Sequence, residues 1–181
     1  MLIPRHVLAF VLPFLLTACA QPGRVDGSVA HAGWVLTLNR PLAIGPGEAS
    51  ARLQYGRVVP RNGVQEVDPY CILEIDTVSD RPQEVAPERF TVTTIRLREE
   101  SFGGMPTFPW HAMGRGLGRD HGPSQIYFIT EFTLRAARQT GIRKLACQSD
   151  QGAAGVGIPR HLTAAEIRQA LGEYFTLTPD H

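Results

Sequence analysis

Gln125-Ile126-Tyr127-Phe128-Ile129-Thr130-Glu131-Phe132-Thr133-Leu134 is the stretch on which the fold turns. Side chains alternate across a strand, so Ile126, Phe128, Thr130, Phe132 and Leu134 share one face. Tyr127, Ile129, Glu131 and Thr133 share the other. Both faces carry apolar residues, which predicts an interior strand covered on each side rather than an edge. Gln139-Thr140-Gly141 supplies a turn after it, and Arg143–Cys147 reads as the hairpin partner that returns.

Working outward from this pair, the rest of the chain is also strand-like. Trp34–Leu38 is a first strand, followed by a Pro-Gly turn region at Pro41–Gly47. Ala51-Arg52-Leu53-Gln54-Tyr55 alternates, Gly56 ends it, and Arg57-Val58-Val59 returns beside it. Asn62-Gly63 is the dipeptide that supplies positive φ in a tight hairpin turn. Cys71–Ile75 is largely apolar and therefore central. A Pro-containing stretch, Asp80–Pro87, leads into Phe90–Leu97, whose alternation changes phase. A bulge at Thr93-Thr94 would restore Phe90, Val92, Ile95 and Leu97 to one face.

One helix is written near the C-terminus. Thr163 and Glu166 have capping-box spacing, and Leu162 and Ile167 stand at the positions of a hydrophobic staple. Ile167, Ala170, Leu171 and Tyr174 form an apolar stripe, and Gly172 suits a left-handed stop. About seven or eight strands and this helix predict a mainly β fold. It is an antiparallel sandwich or a partly open barrel packed by Leu162–Gly172. The alternative is an α+β form, one long antiparallel sheet flanked by a single helix.

The N-terminus is different in kind. Arg5 and His6 precede the apolar run Val7–Leu16, far shorter than the roughly 20 residues a spanning helix needs. Pro13 would interrupt a helix or a paired strand there. The run closes on Leu16-Thr17-Ala18-Cys19, which resembles the lipobox of bacterial lipoproteins. That resemblance covers only the N-terminal tenth of the chain. It implies that Met1–Ala18 is a signal peptide, that Cys19 carries a diacylglycerol, and that 19–32 is a tether ahead of a single β-rich domain, 33–181. The Ala20 that follows Cys19, in place of Asp, implies the periplasmic face of the outer membrane. The chain as a whole resembles envelope lipoproteins of Gram-negative bacteria, with no narrower family indicated.

The charge is balanced: Lys+Arg 18 against Asp+Glu 17 becomes equal once Arg5 leaves with the signal. A balanced surface gives no electrostatic case for nucleic acid. Three cysteines less Cys19 leave Cys71 and Cys147, a pair in a compartment that permits disulfides. A bridge between them would close most of the domain, a constraint valued at about 4 kcal/mol by chain entropy. Two buried free thiols are the rival reading. A catalytic or metal-binding cysteine is disfavoured by the absence of CxxC and of a histidine at ligand spacing.

Ser101–Pro123 is the anomaly, with six glycines, three prolines and no sustained period. Structureless loops of this length are uncommon in compact domains and are usually functional or disordered. Gly114-Arg115-Gly116-Leu117-Gly118 lacks the strand before it and the helix after it that a phosphate loop requires. His111, Asp120 and His121 match a zinc ligand set in kind but not in spacing, and solvated loop residues are the favoured reading. Ser101, Ser124 and Ser149 lie in no nucleophile elbow, and Glu99-Glu100 reads as a solvent-facing strand end. Phe102, Met105, Phe108 and Trp110 either fold back as satellite core or form an exposed partner site, with Arg115 and Arg119 as its polar rim. No metal, catalytic residue or cofactor is expected. The leading expectation is a non-catalytic envelope lipoprotein, held to the membrane by its lipid, whose partner is another envelope protein or a cell-wall component. An envelope hydrolase using groups of the 101–123 loop is the alternative.

Overall fold

A computed structural model describes residues 34–103, 123–152 and 158–178. The main sheet is built from eight strands: β1 (Val35–Leu38), β3 (Ser50–Gln54), β4 (Arg57–Val59), β5 (Tyr70–Ile75), β7 (Arg89–Gly103), β8 (Pro123–Ala136), β9 (Ile142–Gln148) and β10 (Phe175–Thr178). Their spatial order is β10-β1-β7-β8-β9-β5-β3-β4, every pair antiparallel. Two short strands, β2 (Leu42–Ile44) and β6 (Gln83–Val85), pair separately. The sheet curls into a half-barrel, and one helix, α1 (Ala164–Leu171), follows it. This is the partly open barrel, rather than the sandwich, of the two architectures the pattern allows.

The helix sits inside the curl. It touches β3 and β5 near one edge of the sheet and β10 at the other. Its buried Ala164, Ile167, Ala170 and Leu171 meet Leu36, Leu53, Leu73, Phe90, Phe132 and Leu145 in one apolar cluster. Removing this surface from water stabilises the fold by about 25 cal/mol per Å². The capping box forms: Glu166 N–H donates to Thr163 Oγ1 (3.3 Å), and Thr163 N–H donates to Glu166 Oε2 (2.8 Å). Leu162 and Ile167, the staple residues, are both buried in that cluster.

The interior strand is as expected. β8 lies between β7 and β9, and the return through Gly141, at φ 87°, sets Thr133 opposite Lys144. The bulge also falls where the phase change put it, between Val92 and Thr94, and Ile95 then faces Phe132. Phe90 and Val92 are buried, but Leu97 on the same face is 49% exposed, because inner cover ends near Ile95. Cys71 and Cys147 face each other in register on β5 and β9 and are bonded, with Cα atoms 4.0 Å apart.

Four expectations need correction. The Pro41–Gly47 turn region contains β2, and the Asp80–Pro87 connection contains its partner β6, each too short to show a period. Asn62-Gly63 is not a hairpin turn with positive φ. Arg61–Gly63 is a single 3-10 turn in which Gly63 N–H donates to Pro60 O (2.9 Å). The left-handed pair is Tyr55-Gly56 (φ 52° and 70°), which joins β3 to β4. Strand pairing also runs further into the Gly-rich stretch than its composition suggests, to Gly103 on β7 and from Pro123 on β8. Finally, the chain continues past the helix as β10, which completes the sheet edge beside β1.

Candidate functional site

The inner face of the sheet is core; the outer face carries the polar chemistry. Register places Arg52 of β3, Tyr70 and Ile72 of β5, Gln148 of β9, Tyr127 of β8 and Glu100 and Phe102 of β7 side by side on it. Arg52, Tyr70, Ile72 and Gln148 are each one residue out of phase with a core neighbour, and register carries the same outer face across to Tyr127 and Glu100. Over these strands folds the segment between Pro60 and Pro69. It is fastened by Gln54, only 1% exposed, whose side-chain amide mimics a strand partner. Gln54 Nε2 donates to Gln65 O (2.8 Å), and Gln65 N–H donates to Gln54 Oε1 (2.9 Å). Asp150 N–H donates to Glu66 O (2.6 Å), tying the segment to the chain after β9.

Between the segment and the strands lies a groove of about 300 Å³, lined also by Arg61, Val64 and Glu66. Tyr127 Oη and Gln125 Nε2 both donate to Glu66 Oε2, each at 2.8 Å. Burial raises the Tyr127 phenol far above its ordinary range, and the bond to Glu66 adds to the effect. Burial also raises Tyr70, only partly offset by the bond that Gln148 Nε2 donates to its oxygen. Phe102 packs its ring edge-on to Tyr127, centroids 5.9 Å apart, and remains 51% exposed. The guanidinium groups of Arg52 and Arg61 make neither hydrogen bond nor ion pair among the described residues.

Beside the groove, a ladder of charges crosses four strands. Glu74 meets Lys144 Nζ at 3.6 Å, Lys144 meets Glu131 at 2.7 Å, and Glu131 meets Arg98 at 2.9 Å; Arg98 also pairs with Glu100. Burial alone would raise the Glu131 carboxyl, but the bond and charge of Lys144, with Arg98, hold it below its ordinary value. These charges are spent on one another. A second groove of about 240 Å³ runs between Val67, Ser149 and Arg160. Its polar groups are committed as well: Arg160 binds Glu166 at 2.7 Å, and Gln151 Nε2 donates to Ser149 Oγ (3.3 Å).

Comparison with known proteins yields no matching family model, curated protein or solved structure. The site is therefore read from its own residues. Of those singled out in the sequence, Phe102 stands on the groove's rim. Ser101 lies near the end of β7, Ser149 is buried, and Ser124 falls within β8. Glu99 is exposed, whereas Glu100 lines the groove. Cys19, Met105, Phe108, Trp110, His111, Arg115, Arg119, Asp120 and His121 lie outside the described residues. Among the described residues no three His, Cys, Asp or Glu side chains converge on a metal position. Sequence reasoning missed Arg52, Arg61, Glu66, Tyr70, Tyr127 and Gln148 as a group. The available signal was polar or aromatic residues on the second face of strands that had to be interior.

Proposed function

We propose that the protein is a lipid-anchored, non-catalytic binding or assembly protein of the Gram-negative envelope, tethered through Cys19 at the periplasmic face of the outer membrane. The observation that carries the reading is the outer-face groove, with two guanidinium groups that no described residue neutralises. Its tyrosines are pushed away from ionisation and stay hydrogen-bond donors, which suits recognition rather than base chemistry. The buried Cys71–Cys147 bridge supports an oxidising compartment. One acyl chain binds membranes marginally and several hold firmly, which makes the lipid sufficient as an anchor.

Feeding cells a palmitate analogue tests the anchor: wild type should take up label and fractionate with membrane, and Cys19→Ser should do neither. An unlabelled wild type, or a mutant equally labelled, rejects it. A photocrosslinker at Val64, which lines the groove and leaves both arginines in place, tests the groove in cells. It should capture an envelope protein or wall fragment that one placed at Val78, 66% exposed and outside the groove, does not. Equal capture from both positions rejects a binding role for the groove.

A further inference from the structure

We infer that the groove binds a short peptide or amino-acid derivative through both of its ends, the carboxylate on Arg52 and Arg61 and the charged amine on Glu66. The inference rests on the reading of the chain as a binding protein and names its ligand class.

Arg52 and Arg61 together offer ten N–H donors and no acceptor, and none is used within the described residues. Tyr70 accepts from Gln148 through its oxygen, which leaves its own O–H free to donate. A planar carboxylate matches a guanidinium fork in geometry as well as charge. A bare anion would complete only half of the lining, because Glu66 is exposed and its donors, Tyr127 and Gln125, are neutral. No ion pair offsets its charge among the described residues, and its second oxygen accepts nothing there. Glu100, by contrast, is paired with Arg98 and leaves no such demand.

Two unspent cations and one unspent anion along one groove call for a ligand with charges of both signs. Phe102, Val64 and Ile72 line the same groove and supply apolar contact for a side chain. At about 300 Å³ the groove is at the small end of ligand sites, the size for a few residues rather than a folded partner.

The test uses the full chain extracted in non-ionic detergent and dialysed to equilibrium against mixed-sequence tripeptides. The probes are the free pool, the same pool amidated at its C-terminus, the pool acetylated at its N-terminus, and inorganic phosphate, read by mass spectrometry or phosphate assay. The free pool should be retained. Amidation, or Arg52→Ala with Arg61→Ala, should lower retention about ten- to a hundredfold, as loss of charged hydrogen bonds does. Glu66→Gln should erase the preference for free over acetylated peptides. Neither arginine has a hydrogen bond or ion pair to lose among the described residues, so the double variant should unfold close to the wild-type midpoint. No retention of peptide at millimolar concentration, equal retention of acid and amide, or phosphate held as well as peptide overturns the inference. These readouts do not depend on Cys19, so failure here leaves the anchoring test untouched, and failure there leaves the groove.

Discussion

Glu166 illustrates how much one side chain does in this molecule. It accepts from Thr163 in the capping box and pairs with both terminal nitrogens of Arg160 at 2.8 and 2.7 Å. Those bonds hold its carboxyl down to about 2, the Arg160 bond leading, against burial that works the other way. A depressed carboxyl favours the folded state wherever it is ionised. Its contribution should be complete above the ordinary value near 4.5, and it should disappear as pH falls towards 2. Both partners are partly exposed, so solvent reduces the effect to about 1 kcal/mol, the scale of a cap. Glu166→Gln should thus destabilise the protein at pH 7 and match wild type near pH 2 in urea unfolding; a constant difference across that range would reject the account. The disulfide is the other single-residue device. Replacing Cys71 and Cys147 by alanine should cost about 2–4 kcal/mol, seen as a lower denaturation midpoint under non-reducing conditions. An unchanged midpoint would show that the bridge constrains nothing.

Elements are joined at points their own patterns do not reveal. The turn between β8 and β9 is held by Glu88, whose carboxylate accepts from the backbone N–H groups of Ala137 (2.9 Å), Arg138 (2.6 Å) and Gln139 (3.2 Å). At the other end of the fold two glycines meet. Gly56 N–H donates to Ala170 O (3.0 Å), and a Cβ on Gly172 would sit 2.3 Å from Gly56 Cα. Gly172 also has φ 54°, which a side chain resists. Gly172→Ala should cost about 2–3 kcal/mol by the combined clash and strain. A thermal midpoint equal to wild type would mean that the helix end and the β3–β4 turn are free to separate. The helix was legible from its cap to Leu171, because cap, staple and stripe are local; Tyr174, read as the end of the stripe, falls instead in the 3-10 turn Gly172–Tyr174. The long strands and the bulge were legible because period two persists through them. β2 and β6 have three residues each inside Pro-containing connections, and β10 has four at the end of the described chain, so no pattern set them apart from their surroundings. Asn62-Gly63 misled because Pro60 and the fastening at Gln54 draw that segment across the outer face instead of into a hairpin.

At the scale of the whole molecule, curl and helix explain each other. An eight-stranded sheet with one apolar face must cover it, and a single eight-residue helix suffices only if the sheet bends around it. The same geometry hid the groove from sequence. Its residues come from five strands and a crossing segment, and they converge only when the register is known. Where the helix and β10 stop, so does the core. Phe90 and Val92 are buried on β7, while Leu97 and Phe102 further along the same strand are about half exposed. β8 has neighbours on both sides from Thr130 to Thr133, and Thr130, Glu131 and Phe132 are buried there. Opening energies should follow that gradient. In hydrogen exchange on the full chain, amides of β5, β9 and Thr130–Thr133 should be the slowest, opening only with global unfolding. Among β7 amides that bond to β8, those from Leu97 outward should exchange at least about tenfold faster than those from Phe90 to Ile95, as an opening cheaper by about 1.4 kcal/mol requires. Uniform protection along β7 would overturn the view that its outer half lies beyond the core.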